Sequence, residues 1–168
     1  NIRQFSLCTS PTDDYLQIIS RIRSGSVYKK ALSRLNLETE IEIDPPIGTL
    51  PLNVADPGPH ILIAGGVGIA PFMSRIRYLI AKKAEVKVEV IYSNHSLEDI
   101  CFKKELANIQ NKRSWLTVKH ILTNRVGRLN KSKMAKLISK FKKNTQAKYW
   151  LAGSPLFVDS LEEILTSL

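Results

Sequence analysis

The sequence predicts a short all-β part followed by an α/β unit built on a doubly wound parallel sheet. Three observations carry this. After residue 60, strand-like and helix-like segments alternate four times, the pattern of an open parallel sheet with helices on both faces. At His60 the apolar pattern changes from alternating to continuous, as a strand buried on both sides requires. Between the two patterns lies Asn53-Val54-Ala55-Asp56-Pro57-Gly58-Pro59, whose prolines and glycine read as a linker. The expected divisions are 1–52, 53–59 and 60–168.

Each element follows from local chemistry. Arg3 to Leu7 reads as an extended stretch, stopped by Thr9-Ser10-Pro11. Tyr15 to Ile22 is rich in β-branched residues and reads as a second strand. Ser26 is a good N-cap for a helix carrying Tyr28, Ala31, Leu32 and Leu35. Leu37 to Ile43 alternates apolar and acidic residues, which predicts a half-buried antiparallel strand ended by Pro45-Pro46. In the second part, strands are expected over 60–64, 86–92, 115–122 and 147–152. Helices are expected over 71–82, 97–109, 129–141 and 155–165. The third of these places Met134, Leu137, Ile138 and Phe141 on one side.

The composition is that of a globular chain: 168 residues, 43% hydrophobic and 24% charged. No apolar run reaches the roughly 18 residues of a membrane span, and the N-terminal stretch is too polar for a signal peptide. Because the chain begins with Asn rather than Met, it is expected to be a fragment. Its two cysteines, Cys8 and Cys101, exclude a disulfide framework and a four-cysteine metal site, and point to a reducing, cytoplasmic location. No His, Cys, Asp or Glu cluster has metal-ligand spacing, and His60 and His120 read as satisfied isolated histidines. The charge is uneven. Residues 1–58 hold 6 basic and 7 acidic side chains, whereas residues 59–168 hold 19 and 8. Such a field gathers anions near the second part. An acidic carrier protein is the expected partner of the lysine-rich helix 129–143, with a membrane surface the lesser alternative. Nucleic acid is not expected, because Trp115, Phe141, Tyr149 and Trp150 suit a core rather than base stacking.

Three motifs carry chemistry. Gly65-Gly66-Val67-Gly68-Ile69-Ala70-Pro71 joins a strand to a helix. Its glycines leave room for a phosphate, its helix start favours negative charge, and Pro71 fits the first helical turn. Its spacing differs from the G-x-G-x-x-G dinucleotide fingerprint. Ala152-Gly153-Ser154-Pro155 forms a similar turn after the last strand, and the two turns together could clamp one ligand at the carboxyl edge of the sheet. Arg3-x-Phe5-Ser6 combines a phosphate-binding cation, a stacking ring and a hydroxyl.

The order of these motifs resembles the ferredoxin–NADP(+) reductase superfamily. The series runs Arg3-x-Phe5-Ser6, Gly25-Ser26-x-Tyr28, Pro46-x-Gly48-x-Leu50, the Gly-Gly-x-Gly-x-x-Pro turn, Tyr92-Ser93-Asn94, then Ala152-Gly153-Ser154-Pro155. The resemblance covers essentially the whole chain. It implies a partial antiparallel FAD-binding barrel over 1–52 and an NAD(P)-binding domain over 60–168. The first barrel strands and the C-terminal strand of the family lie outside this chain.

The resemblance also implies roles. Arg3 and Ser26 would meet the FAD pyrophosphate, and Phe5 and Tyr28 would lie against the flavin. Ser6 would hydrogen-bond the flavin's redox-active nitrogen, which makes Ser6 and Phe5 the expected catalytic pair. Gly65, Gly66, Gly68, Ile69 and Pro71 would hold the NAD(P)H pyrophosphate and ribose, and Gly153, Ser154 and Pro155 would border the nicotinamide. Asn94 and His95 would meet the adenosine end, where many relatives carry Arg at the position of His95. Arg125 and Arg128, after the third strand, would suit a 2′-phosphate. Phe5 stands where Tyr is usual, and Ala152 where Cys is frequent. The implied activity is hydride transfer from NAD(P)H to FAD, then single electrons to ferredoxin or flavodoxin. The alternatives are the reductase component of a multi-component oxygenase and a non-catalytic nucleotide-binding scaffold.

Overall fold

The structure is a computed structural model that describes residues 2–22, 25–48, 55–56, 58–141 and 143–168. Leu50, Lys142 and part of the expected linker lie outside them. Four parallel strands form one sheet: β1 (His60–Gly65), β2 (Val88–Asn94), β3 (Leu116–Leu122) and β4 (Lys148–Ala152). Their spatial order is β3-β2-β1-β4. Ala64 pairs with Tyr92 on one side and Ala152 on the other. The order therefore reverses at β1, and a crevice opens beyond the carboxyl ends of β1 and β4, where ligands of such sheets sit.

The continuous apolar run of β1 serves two layers. Leu62 and Ala64 pack with α2 (Ala70–Ala81) and α3 (Lys103–Lys112), while Ile61 and Ile63 pack with α5 (Lys131–Ile138) and α6 (Pro155–Thr166). Alternation along one strand thus feeds both faces. Helix α2 presents Phe72, Met73, Ile76 and Leu79 to the first layer, all 1% exposed or less. Met134, Ile138 and Phe141 are buried in the second. A four-residue helix, α4 (Thr123–Val126), precedes α5, and a single 3₁₀ turn, Ser139–Phe141, follows it.

The first part departs from expectation. Helix α1 (Val27–Leu32) forms as read, with the Ser26 hydroxyl accepting from the Lys29 N–H. The three expected strands do not form among the described residues. Arg3–Leu7 and Tyr15–Ile22 meet in one antiparallel bridge, Leu7 to Ile18, with the Cys8 N–H donating to the Gln17 carbonyl at 2.9 Å. Side chains capture the neighbouring backbone instead: the Ser10 N–H donates to Asp13, and the Thr12 N–H to the Ser10 hydroxyl. Residues 37–43 form no strand: Leu37 and Glu38 lie in a turn, with Glu38 at φ 70° and the Thr39 N–H donating to the Asn36 carbonyl at 3.3 Å, and Leu37 is 95% and Ile43 60% exposed. Alternation makes a strand only where another strand completes its hydrogen bonds, and no described strand flanks this one. The expected helix from Leu97 begins at Lys103. Asp99 accepts from the Ser96 N–H, and Phe102 takes a left-handed conformation (φ 56°), which holds 96–102 in turns.

Arg77 docks the first part onto the second. Its guanidinium forks onto Glu105 of α3 at 2.8 Å, donates to the Cys8 carbonyl at 2.6 Å and meets the Gln17 amide oxygen at 3.1 Å. Cys8 is fully buried beneath it, and burial pushes its thiol pKa up. Arg21 adds a pair with Asp99.

Candidate functional site

The two glycine turns meet at the switch point. After β1 the chain closes into a 3₁₀ turn, Gly66–Ile69, which runs into α2 with Pro71 in its first turn. The glycines there answer different demands. A Cβ at Gly68 would stand 2.4 Å from the Ala152 carbonyl oxygen and 2.7 Å from the Gly153 Cα, so the turns touch backbone to backbone. A Cβ on Gly65 would meet the Phe157 ring at 3.1 Å, and one on Gly153 would meet it at 2.6 Å. Backbone packing thus demands glycine at 68, the Phe157 ring would have to shift for a side chain at 153, and 65 is only tightly packed. Gly66 differs: its φ is +55° and the space where a Cβ would stand is open. It leaves an open edge beside the start of α2, where backbone N–H groups and the helix dipole favour an anion. Ile69 is fully buried and anchors the turn. Across the crevice, Ser154 is exposed at the start of α6, and its hydroxyl makes no capping bond; Pro155 opens the helix.

At the end of β2, Asn94 is 4% exposed; neither polar atom of its side chain makes a hydrogen bond of ordinary geometry, though the amide lies close enough to the Tyr92 hydroxyl to act on it. A buried amide with its donor and acceptor both unused is costly unless a further group completes it. Two residues earlier, the buried Tyr92 hydroxyl donates to the Gly66 carbonyl at 2.9 Å and accepts from the Cys101 N–H at 3.3 Å. Burial holds the phenol pKa far above its ordinary range, so it stays a donor. The exposed His95 accepts, through its carbonyl, from the Asn124 N–H at 3.0 Å, which ties the end of β2 to α4. Arg125 and Arg128 flank Gly127 (φ +70°) and are exposed. Lys133 folds beneath them, donating to the Val126 and Arg128 carbonyls.

The residues of the first part form their own cluster. The Phe5 and Tyr28 rings stack with centroids 6.2 Å apart, and the Arg3 guanidinium lies 5.7 Å from the Tyr28 centroid. Ser6 is exposed nearby in sequence, while the Ser26 hydroxyl is engaged at its cap. Phe5 and Tyr28, 23 positions apart in the sequence, thus share one aromatic surface.

Sequence reasoning missed the Tyr92 bridge and the Arg77 fork. Tyr92 stands in the Tyr-Ser-Asn motif and could have been singled out by it. Nothing in the sequence marks Arg77. His60 is satisfied, as read. Its Nδ1 accepts from Arg75 at 3.0 Å and from the Trp150 indole at 3.1 Å. Among the described residues there is no group of three or more His, Cys, Asp or Glu able to hold a metal ion, and no helix long and apolar enough to cross a membrane.

The open turn at Gly66, the exposed Ser154 and the unused Asn94 amide are of the right chemistry for the pyrophosphate and hydroxyl groups of a dinucleotide. The chain matches the flavohemoprotein of Bacillus subtilis at 27% identity over all of its own length and 44% of the relative's. It matches the glycine betaine monooxygenase reductase subunit of Chromohalobacter salexigens at 30% identity over 64% of this chain and 30% of that protein. Its fold is that of the ferredoxin-NADP+ reductase of Plasmodium falciparum, with a TM-score of 0.79 at 18% identity, covering 98% of this chain and 70% of the other. The chain thus spans less than half the length of the curated relatives it matches here. With a family match over residues 62–163, more than half of the sequence and most of the sheet, the chain belongs to the oxidoreductase NAD-binding domain family.

Proposed function

We propose that this chain is part of a flavin-linked NAD(P)H reductase that passes electrons to a redox protein of the ferredoxin or flavodoxin kind. The observation that carries the reading is the meeting of two glycine turns at the switch point of a parallel sheet, beside a buried amide with unused hydrogen-bonding atoms. In this reading residues 60–168 form the dinucleotide-binding part, residues 1–52 the flavin-facing part, and 53–59 the linker.

The backbones of Gly65, Gly66 and Gly68, with Ile69 and Pro71 fixing the helix start, receive the pyrophosphate. Gly153, Ser154 and Pro155 border the nicotinamide. Asn94 offers one donor and one acceptor to a ribose, and His95 lines the adenosine end. Arg125 and Arg128 supply two exposed cations for a 2′-phosphate, which favours NADPH. Arg3 and Ser26 face the flavin pyrophosphate, Phe5 and Tyr28 give its ring an apolar surface, and Ser6 directs a hydroxyl to its reactive nitrogen. When bound, NAD(P)H and FAD supply the hydride and single-electron chemistry themselves; the protein positions them and excludes water.

A reductase component of a multi-component oxygenase is the second reading. The 30% identity to a monooxygenase reductase subunit supports it. The visible spectrum of the chain with FAD, before and after anaerobic NADPH and NADH, tests both. Flavin retained and bleached is the expected result. No bound flavin, with NADPH still binding by calorimetry, would favour the non-catalytic scaffold. Binding of neither would overturn the proposal.

A further inference from the structure

We propose that Tyr92 is a positioning residue for the dinucleotide: its hydroxyl locks the Gly66 turn against the loop after β2 and so sets the width of the crevice. This rests on the dinucleotide reading above. The Gly66–Ile69 turn is held from two sides. On the β4 side, Gly68 abuts the Ala152 carbonyl and leaves no room for a methyl group. On the β2 side, beyond the β1–β2 pairing that ends at Gly65 and Ser93, the Tyr92 hydroxyl reaches the turn, donating to Gly66 and accepting from Cys101. Gly66 has positive φ and open space where a Cβ would stand, so no side chain of its own restrains the carbonyl that accepts this bond. The same hydroxyl accepts from the Cys101 N–H, in the turns that precede α3, and Tyr92 shares its face of β2 with Asn94, two residues on. One atom therefore couples the anion-facing turn to the strand end that carries the unused amide. The ring beneath it is fully buried and rests against His120, with centroids 5.8 Å apart, so the hydroxyl has a fixed base.

Tyr92→Phe keeps that ring and removes only the oxygen. The test is calorimetric titration of the full chain with NADH and with NADPH. Ile138→Val, in the opposite layer, serves as a control chosen for comparable destabilisation. Tyr92→Phe is expected to raise the Kd of both dinucleotides about tenfold, the cost of one buried bridge, while Ile138→Val leaves Kd unchanged. Amide exchange should also quicken at 66–69 and at Cys101 in Tyr92→Phe alone. A Kd within about twofold of wild type, with wild type binding, overturns the role of Tyr92 and leaves the dinucleotide reading standing. Loss of affinity in Ile138→Val equal to that in Tyr92→Phe overturns it too, since general loosening then suffices. If wild type binds neither dinucleotide, both readings fall together.

Discussion

Glycine at 66 and glycine at 68 look alike in sequence and do different work. At Gly68 an added methyl group meets the Ala152 carbonyl at 2.4 Å, so the backbone itself must move. Gly68→Ala should therefore lose about 2–4 kcal/mol of stability in urea unfolding. Gly66→Ala meets nothing and carries only the cost of its positive φ, about 1–2 kcal/mol. Equal losses at the two positions would contradict the packing assigned to Gly68. His60 gives a pH prediction. Its Nδ1 accepts two hydrogen bonds, so the imidazole is neutral with its proton on Nε2, which faces the Asp56 carbonyl at 3.3 Å. Burial, and then the Arg75 charge, lowers its pKa below the ordinary 6.5. The unfolded chain then takes up the proton first as pH falls. The stabilisation is fully present above pH 6.5 and is lost as pH drops through the lower folded value. His120, lowered by burial, acts in the same direction. Melting temperature should fall from pH 7.5 to 5.5, and His60→Gln should flatten that slope. An unchanged slope would rule out His60 as its source.

At the scale of elements, a strand is made by its neighbours. Residues 60–65 and 37–43 are both strand-like in sequence, yet only the first lies between two partners. Leu62→Ala should cost about 2–5 kcal/mol, because Leu62 is fully buried between β2, β4 and α2. Leu37→Ala, at 95% exposure, should change stability by less than about 0.5 kcal/mol. Chemical unfolding of the two variants measures both. The N-terminal segment is held on α2 and α3 by hydrogen bonding more than by strand pairing. Arg77→Met removes the fork to Glu105 and the bond to Cys8, so about 1–3 kcal/mol should be lost. The segment should then open to trypsin at Arg21 before the sheet does. Simultaneous cleavage throughout the chain would show that the segment and the sheet unfold as one unit.

Over the whole molecule the charge divides with the fold. The part before residue 59 is near neutral and the remainder carries +11, with 12 basic and no acidic residues from Leu106 to Val158. Some of that charge is spent inside: Lys119 and Lys140 both pair with Glu89, which is 3% exposed. The rest faces solvent. Part of it, Arg125 on α4 and Lys131, Lys133 and Lys136 on α5, is carried after β3, and α5 packs on the face of the sheet opposite the layer that Arg77 ties to the first part. Binding of an acidic redox protein should weaken as ionic strength rises from about 0.01 to about 0.15 M, where the Debye length falls from about 30 to about 8 Å. Stopped-flow association rates across that range measure it. A flat response would exclude the lysine face from the encounter.

The parallel sheet, its four helices and the two glycine turns were legible in the sequence, because burial on both faces writes continuous apolar strands and each turn carries its own residues. The N-terminal strands were legible only as patterns, since an edge exists where something pairs with it, and periodicity says nothing of the partner. The site divides likewise. Local chemistry determined that Gly65 to Pro71 and Ala152 to Pro155 would be turns. Only the tertiary structure decided that they touch through Gly68, that Phe5 and Tyr28 share one surface, and that the Tyr92 hydroxyl bridges two loops. Those are contacts between residues far apart in the chain, and the sheet order that creates them is a property of the packed whole.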